Sequence, residues 1–200
     1  IEMKLKFVFL TLLLFFARGC DFYSTSLWFF QPDGKSGEMN PLTRFFNAGW
    51  SGLILTNILI VGFIVTLLYY YYFRYKRQFT FSTQPRNYLE LASLQYFNSS
   101  NKFHEIFYKL PANKSVLLAH MGYVLTITII IGSFIATFHN FCQFYSLEFY
   151  NRFRDIVGRP LFVIYGLLIL TMAVTYRQLL VKEYKKYKLA AKTGIAALGA

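Results

Sequence analysis

Apolar runs of membrane-spanning length constrain this chain more than any other feature. A helix needs about 20 residues to cross a hydrocarbon core about 30 Å thick, and four such runs occur, at about 5–30, 49–73, 115–138 and 159–176. Hydrophobic residues make up 56% of the chain and charged residues only 15%, against about 25% charged in ordinary globular proteins. The sequence therefore predicts an all-α integral membrane bundle of four transmembrane helices, built as one membrane domain over 1–200.

The basic residues between the runs predict the orientation of the chain. Cytoplasmic loops of membrane proteins carry an excess of Lys and Arg. Of the 21 Lys and Arg, six fall on the predicted outer side and 15 on the inner side; the six are Arg18, Lys35, Arg44, Arg152, Arg154 and Arg159. We therefore expect both termini on the cytoplasmic or matrix side. The net charge of +12 has the same explanation, and nucleic acid is not an expected partner.

The connections between the runs predict amphipathic interfacial helices. In 78–114 the apolar residues recur at helical spacing, which fits two short amphipathic helices on the inner surface, or helices packed on a partner subunit. The outer connection 139–158 mixes aromatic and charged residues and fits a further interfacial helix. The basic tail 177–200 is expected to be a positive-inside signal, with contact to anionic lipid headgroups as a second interpretation.

The first run carries ionisable side chains where hydrocarbon is expected. Arg18 and Asp21 are three residues apart, so they share a helix face and can pair. An ionisable group at membrane depth is costly, and it is either functional or in need of a partner. With polar residues predicted at the outer half of the bundle, the pair forms an intramembrane polar cluster: Arg18, Asp21, Ser24, Thr25, Glu38, Asn40 and Asn140.

Three residues of the outer half have side chains suited to metal binding or proton transfer. Asp21, Glu38 and His139 combine carboxylates with an imidazole, which can bind divalent metals or relay protons. A simpler interpretation is that Arg18 neutralises Asp21, Glu38 caps a loop and His139 lies at the membrane interface. The three residues lack fixed ligand spacing, so no cofactor is predicted, although bound lipids are expected. The sequence contains no nucleotide-binding or hydrolase motif.

Other residues within the runs predict how the helices pack. Asn57 can hydrogen-bond across helices, and the small pair Gly132 and Ala136 lets a neighbouring helix approach closely. The two cysteines, Cys20 and Cys142, are too few for a disulfide scaffold. One disulfide between them is conceivable, but two unpaired buried thiols are the favoured prediction.

The spacing of the polar residues resembles a known signature. The pattern Asp21-x3-Thr25 followed by Glu38-x-Asn40-Pro41 resembles a family of small, uncharacterised prokaryotic polytopic membrane proteins with the signature D-x3-T…E-x-N-P-L. The resemblance covers mainly 18–60 and the end of the third run, and this chain departs from it in an insertion and in its long inner segment. It implies an integral membrane location, favours a bacterial over a mitochondrial inner membrane, and implies no activity.

The abundance of aromatic residues and the scarcity of catalytic candidates favour a structural role. We expect an accessory subunit of a larger membrane protein complex, with other membrane subunits and lipids as partners. The alternative is a membrane-embedded protein that handles a metal or protons at an outer-half site. A third hypothesis, a lipid-binding module, rests on the inner amphipathic segment and the tail. No reaction is predicted.

Overall fold

All regular secondary structure in the described part of the chain is helical. The computed structural model describes residues 2–31, 49–78, 80–81 and 83–193. Six α-helices occur in these ranges: α1 (Glu2–Phe29), α2 (Trp50–Tyr69), α3 (Tyr88–Phe97), α4 (Lys114–Phe144), α5 (Glu148–Val157) and α6 (Pro160–Lys192). A π-helical turn, Tyr70–Arg74, extends α2, and a short 3-10 helix covers Phe103–Phe107. The predicted all-α class is confirmed.

Three of these helices are long and apolar enough to cross a membrane. Among the described residues they are Trp50–Arg74, Lys114–Phe144 and Pro160–Lys192. They coincide with the second, third and fourth predicted runs, which is consistent with a membrane protein. The helix α1 occupies the first predicted run, with 28 residues, but it is not one of the three.

Local sequence signals explain where several helices begin and end. At the start of α3, Asn87 Oδ1 accepts hydrogen bonds from the backbone N–H groups of Leu89 and Glu90, as an N-cap does. The same helix ends at Asn98, which adopts a left-handed conformation with φ 53°, a conformation that Asn tolerates better than most residues. Between α5 and α6 the chain turns at Gly158, with φ 68°, and Pro160 follows as the first residue of α6.

Two helices continue past the apolar runs that were predicted as membrane spans. The third run was expected to end at residue 138, but α4 extends to Phe144, so His139 and Asn140 lie in a helix and not in a loop. The basic tail was separated from the fourth span, but α6 continues to Lys192. Lys and Arg are good helix formers, so loss of hydrophobicity there does not end the helix.

The inner segment also differs from its prediction. It contains one α-helix and one 3-10 helix in place of two amphipathic helices. In α3, six consecutive residues, 91–96, are all buried, so the helix has no broad polar face to expose. Its Ala92 and Tyr96 pack in a core with Tyr71, Val116 and Leu179. The outer connection does contain the expected amphipathic helix, α5, with Tyr150 buried.

The contacts divide the chain into two units. Unit 1 comprises 1–66 and 125–172, and unit 2 comprises 67–124 and 173–200. The core of unit 1 joins α1, α2 and α4 through Leu14, Ala17, Val61, Ile64 and Ile130. The core of unit 2 is rich in aromatic residues and includes Tyr71, Tyr75, Ala92, Tyr96, Val116, Ala119, Val124, Leu179 and Leu180. The single membrane domain stays a prediction.

Glycines mark two points of close helix approach. In unit 2, Gly122 of α4 lies against the backbone of Leu67, whose carbonyl oxygen would be 2.3 Å from a Cβ added at 122. In unit 1, a Cβ added at Gly132 would lie 2.7 Å from Leu168 Cδ2 of α6. The predicted small residue of the third run therefore meets a helix of its own chain.

Candidate functional site

A partly buried arginine joins three helices of unit 1. Arg18 of α1 donates from Nη1 to Asp21 Oδ2 at 2.5 Å and to Ser133 Oγ of α4 at 3.2 Å. Its Nη2 donates to Asn57 Oδ1 of α2. We call these four residues the Arg18 junction.

The burial of the Arg18 junction explains why these partners are needed. The side chains of Arg18 and Asp21 are only 24% and 15% exposed. A charge removed from water is costly unless it is paired and hydrogen-bonded. The pairing with Asp21 and the interhelical role of Asn57 agree with the sequence patterns. Ser133 was missed, because a hydroxyl within an apolar run has many possible partners before the helix rotation is known.

A second set of hydrogen bonds joins α1 to α4, closer to the C-terminal end of each helix. Asn140 Nδ2 donates to Ser24 Oγ at 3.0 Å and to Thr25 Oγ1 at 3.3 Å. Trp28 Nε1 donates to the backbone oxygen of Asn140 at 3.2 Å. The structure thus brings together Ser24, Thr25 and Asn140 of the predicted polar cluster, and all three serve helix packing. Trp28 was not among the predicted cluster residues.

Of the three residues predicted to bind a metal or relay protons, the structure describes Asp21 and His139 but not Glu38. His139 is buried and shares a hydrogen bond with the Tyr150 hydroxyl of α5 through Nδ1. Burial raises the pKa of the Tyr150 phenol above its ordinary value, so the phenol is neutral at physiological pH. Asp21 belongs to the Arg18 junction, and Glu38, like Asn40, lies outside the described residues.

The described part of the chain contains no group of three or more His, Cys, Asp or Glu that could hold a metal ion. Cys20 and Cys142 are free thiols, as the favoured prediction expects, but only Cys142 is buried, whereas Cys20 is partly exposed. The metal site formed by Asp21, Glu38 and His139 stays a prediction.

A cavity of about 560 Å³ lies within unit 1 and is lined in part by the Arg18 junction. Its wall comes from α1, α2, α4, α5 and α6. The polar lining consists of Arg18, Asp21, Thr25, Asn57, Thr128, Ser133, His139, Asn140, Gln143 and Arg154. The remaining lining is mainly apolar or aromatic: Phe22, Trp28, Leu53, Ile129, Gly132, Ala136, Leu161, Ile164, Tyr165 and Leu168. A cavity of this size falls within the usual range for small-molecule sites.

Unit 2 contains a buried ionic cluster that the sequence patterns did not reveal. Glu183 is 1% exposed and accepts from Arg77 Nε at 2.7 Å, Lys186 Nζ at 3.0 Å and the Tyr71 hydroxyl at 3.3 Å. Burial alone would lower the pKa of Arg77, but the neighbouring carboxylate outweighs it and the pKa is raised. A lone carboxylate within a basic stretch was the available signal, and it was interpreted only as part of the tail.

A histidine is buried in the same unit. His120 is 1% exposed, and its Nδ1 lies 2.7 Å from the Tyr96 hydroxyl. The ring also meets Tyr75 edge to face at 5.9 Å. Its Nε2 is buried and has no hydrogen-bond partner in the described part of the chain. These contacts place His120 in the aromatic core of unit 2.

Comparisons with models of protein families, with curated proteins and with solved structures found no match. The geometry of the Arg18 junction and of the adjoining cavity therefore carries the functional interpretation. Both lie in unit 1 and use the same arginine.

Proposed function

We propose that this protein is a four-span integral membrane protein that acts as an accessory, structural subunit of a larger membrane protein complex. The observation that carries the proposal is the Arg18 junction. Its two ionisable groups, Arg18 and Asp21, are engaged with each other and with neighbouring helices. Charges held in this way contribute to helix association.

The same junction supports α1 as the fourth span. At about 1.5 Å per residue, its 28 residues reach about 42 Å, which exceeds the hydrocarbon thickness of about 30 Å. The pairing of Arg18 with Asp21 lowers the cost of placing either charge in the bilayer. We place both termini on the cytoplasmic side of a bacterial inner membrane. Single cysteines introduced at Lys4 and Lys188, in a variant without Cys20 and Cys142, should react with an impermeant thiol reagent only from that side.

The exposed surface of α6 supports a subunit role. Only 11% of the most apolar stretch of α6 is buried within the chain, against 28% of that of α2 with its π-helical turn and 33% of that of α4. Ile169, in the apolar part of this helix, is 64% exposed. Of these three helices, α6 therefore leaves the largest share of its apolar stretch uncovered by its own chain and open to a neighbouring subunit or to lipid.

The size of the native particle in mild detergent tests this proposal. We expect a large, stoichiometric complex whose other chains co-purify. Ile169→Trp should release those chains, while Phe9→Trp, at a position 62% exposed on α1, should retain them. A lone chain or a homo-oligomer would refute the accessory role.

A second candidate function is the handling of a metal or of protons at Asp21, Glu38 and His139. It is favoured by one observation, that Asp21 and His139 line the same cavity. Elemental analysis of protein purified without chelators should then find one bound divalent metal, and Asp21→Asn or His139→Gln should abolish it. Equal metal content in wild type and both variants would count against the site.

A further inference from the structure

The cavity of unit 1 carries an excess of positive charge. Arg18 and Arg154 both line it, while Asp21 is the only carboxylate among its described lining residues. Asp21 is already paired with Arg18. One positive charge, that of Arg154, is left without a compensating carboxylate on the described wall. Arg154 is exposed, so an anion can reach its guanidinium from outside the cavity, and an opposite charge beside it is favourable.

Two donors on the wall, in Arg154 and Thr128, lack partners among the described residues. The Arg154 side chain makes no hydrogen bond or ion pair with any described residue, although it lies close enough to His139 to influence it electrostatically. Thr128 is 8% exposed, and its Oγ1 is buried without a hydrogen-bond partner in the described ranges. Buried polar groups normally have partners in protein or water. The cavity therefore has capacity to accept a ligand that carries acceptor oxygens.

The rest of the wall is hydrocarbon. Ile129 of α4 and Leu161, Ile164 and Leu168 of α6 form an apolar strip along the cavity. A small hydrophilic anion would leave this strip uncovered. A molecule with an anionic head and an apolar chain would contact both parts of the wall. Arg side chains commonly pair with anionic headgroups at membrane interfaces in this way.

We propose that this cavity binds an anionic lipid, that is, an amphiphile with a single negative charge on its headgroup. The headgroup oxygens accept hydrogen bonds from Arg154, and the acyl chain lies against Ile164 and its apolar neighbours. The monoanionic charge balances the cavity, because two arginines then face one carboxylate and one headgroup. The binding site is independent of any partner subunit.

Lipid titration of the purified, delipidated chain in a neutral detergent tests this site. The probes are phosphatidylglycerol, phosphatidylcholine with the same acyl chains, palmitate and inorganic phosphate. Phosphatidylglycerol should bind about tenfold or more tightly than phosphatidylcholine, since a hydrogen bond to a charged group is among the stronger ones. If palmitate binds as tightly as phosphatidylglycerol, the site accepts a carboxylate headgroup. If palmitate binds more weakly, the site selects a phosphodiester headgroup. Phosphate should bind far more weakly than either lipid.

Matched variants separate the site from general attraction to a basic protein. Arg154→Gln should weaken phosphatidylglycerol binding about tenfold, while Arg152→Gln, on the same helix but paired with Glu148, should not. Ile164→Trp should weaken it by filling the apolar part, while Ile58→Trp, at an exposed position, should not. Equal affinity for the two phospholipids, or equal effects of the two arginine variants, would overturn the proposal. Phosphate binding as tight as lipid binding would show a water-soluble anion instead.

Discussion

A close backbone approach in unit 2 makes Gly122 of α4 sensitive to any added side chain. A Cβ added at Gly122 would lie 2.3 Å from the oxygen and 2.4 Å from the carbonyl carbon of Leu67. Side-chain carbons almost never approach other heavy atoms closer than 3.0 Å. The two backbones would therefore have to separate by at least 0.7 Å, the difference between 3.0 and 2.3 Å. A backbone carbonyl cannot rotate away as the end of a flexible side chain can.

The expected cost follows from two opposing effects. Overpacking a tight site destabilises a protein by about 1–3 kcal/mol. Replacing Gly by Ala within a helix stabilises it by roughly 0.5–1 kcal/mol. Because the clash is with backbone, the overpacking cost should lie in the upper part of its range, about 2–3 kcal/mol. A gain of about 1 kcal/mol from replacing glycine then leaves Gly122→Ala with a free energy of unfolding lower by about 1–2 kcal/mol. At about 2–4 °C per kcal/mol for a chain of this size, the Tm should fall by roughly 2–8 °C.

Thermal unfolding in detergent, followed by circular dichroism at a helix band, measures this change. Gly62→Ala and Gly166→Ala are matched controls, because a Cβ at either position would meet nothing within 4 Å. Both controls should unfold at or above the wild-type temperature. If Gly122→Ala proves as stable as the two controls, the close contact with Leu67 is not present in the folded protein.

Three further predictions concern buried polar groups and a helix cap. Arg18→Met should destabilise unit 1 by about 3 kcal/mol, because it removes the cation paired with the partly buried Asp21 carboxylate. Adding Asp21→Asn should recover part of the loss; a double variant worse than Arg18→Met would contradict this. Glu183→Gln should lower the free energy of unfolding by about 2–4 kcal/mol, because Arg77 and Lys186 lose their buried carboxylate partner. The control Glu148→Gln, in an exposed pair, should change it by less than about 0.5 kcal/mol. Equal effects of the two variants would refute the buried cluster. Asn87→Ala should lower the free energy of unfolding by about 1 kcal/mol and Asn87→Asp by much less. Chemical unfolding measures both values, and equal values would exclude the cap.

Some of the candidate site could be predicted because its residues are close in sequence. Arg18 and Asp21 share a helix face at a separation of three, so their pairing needs no knowledge of other helices. Asn57 was marked by being a lone amide in an apolar run. Its partner could not be identified, because the rotation of α2 relative to α1 is set by packing of Leu14, Val61 and Ile64. Ser133 joins the junction for the same reason.

The extension of two helices past the predicted spans has a related cause. Hydrophobicity indicates which residues suit hydrocarbon, but it does not indicate where backbone hydrogen bonding stops. The helix α4 therefore continues through His139 and Asn140, which brings Asn140 within reach of Ser24 and Thr25. Had the helix ended at 138, that contact would have depended on an irregular loop.

By itself, the sequence determined the helical class and the long apolar segments. These follow from runs of neighbouring residues, and they hold in any arrangement of the helices. Only the tertiary structure decided the partners of Arg18, the burial of Glu183 against Arg77, and the cavity that exposes Arg154 beside Ile164. Each of these depends on how a helix is rotated about its axis. That rotation is set by the packing of many side chains together, so it cannot be deduced from spacing along one segment.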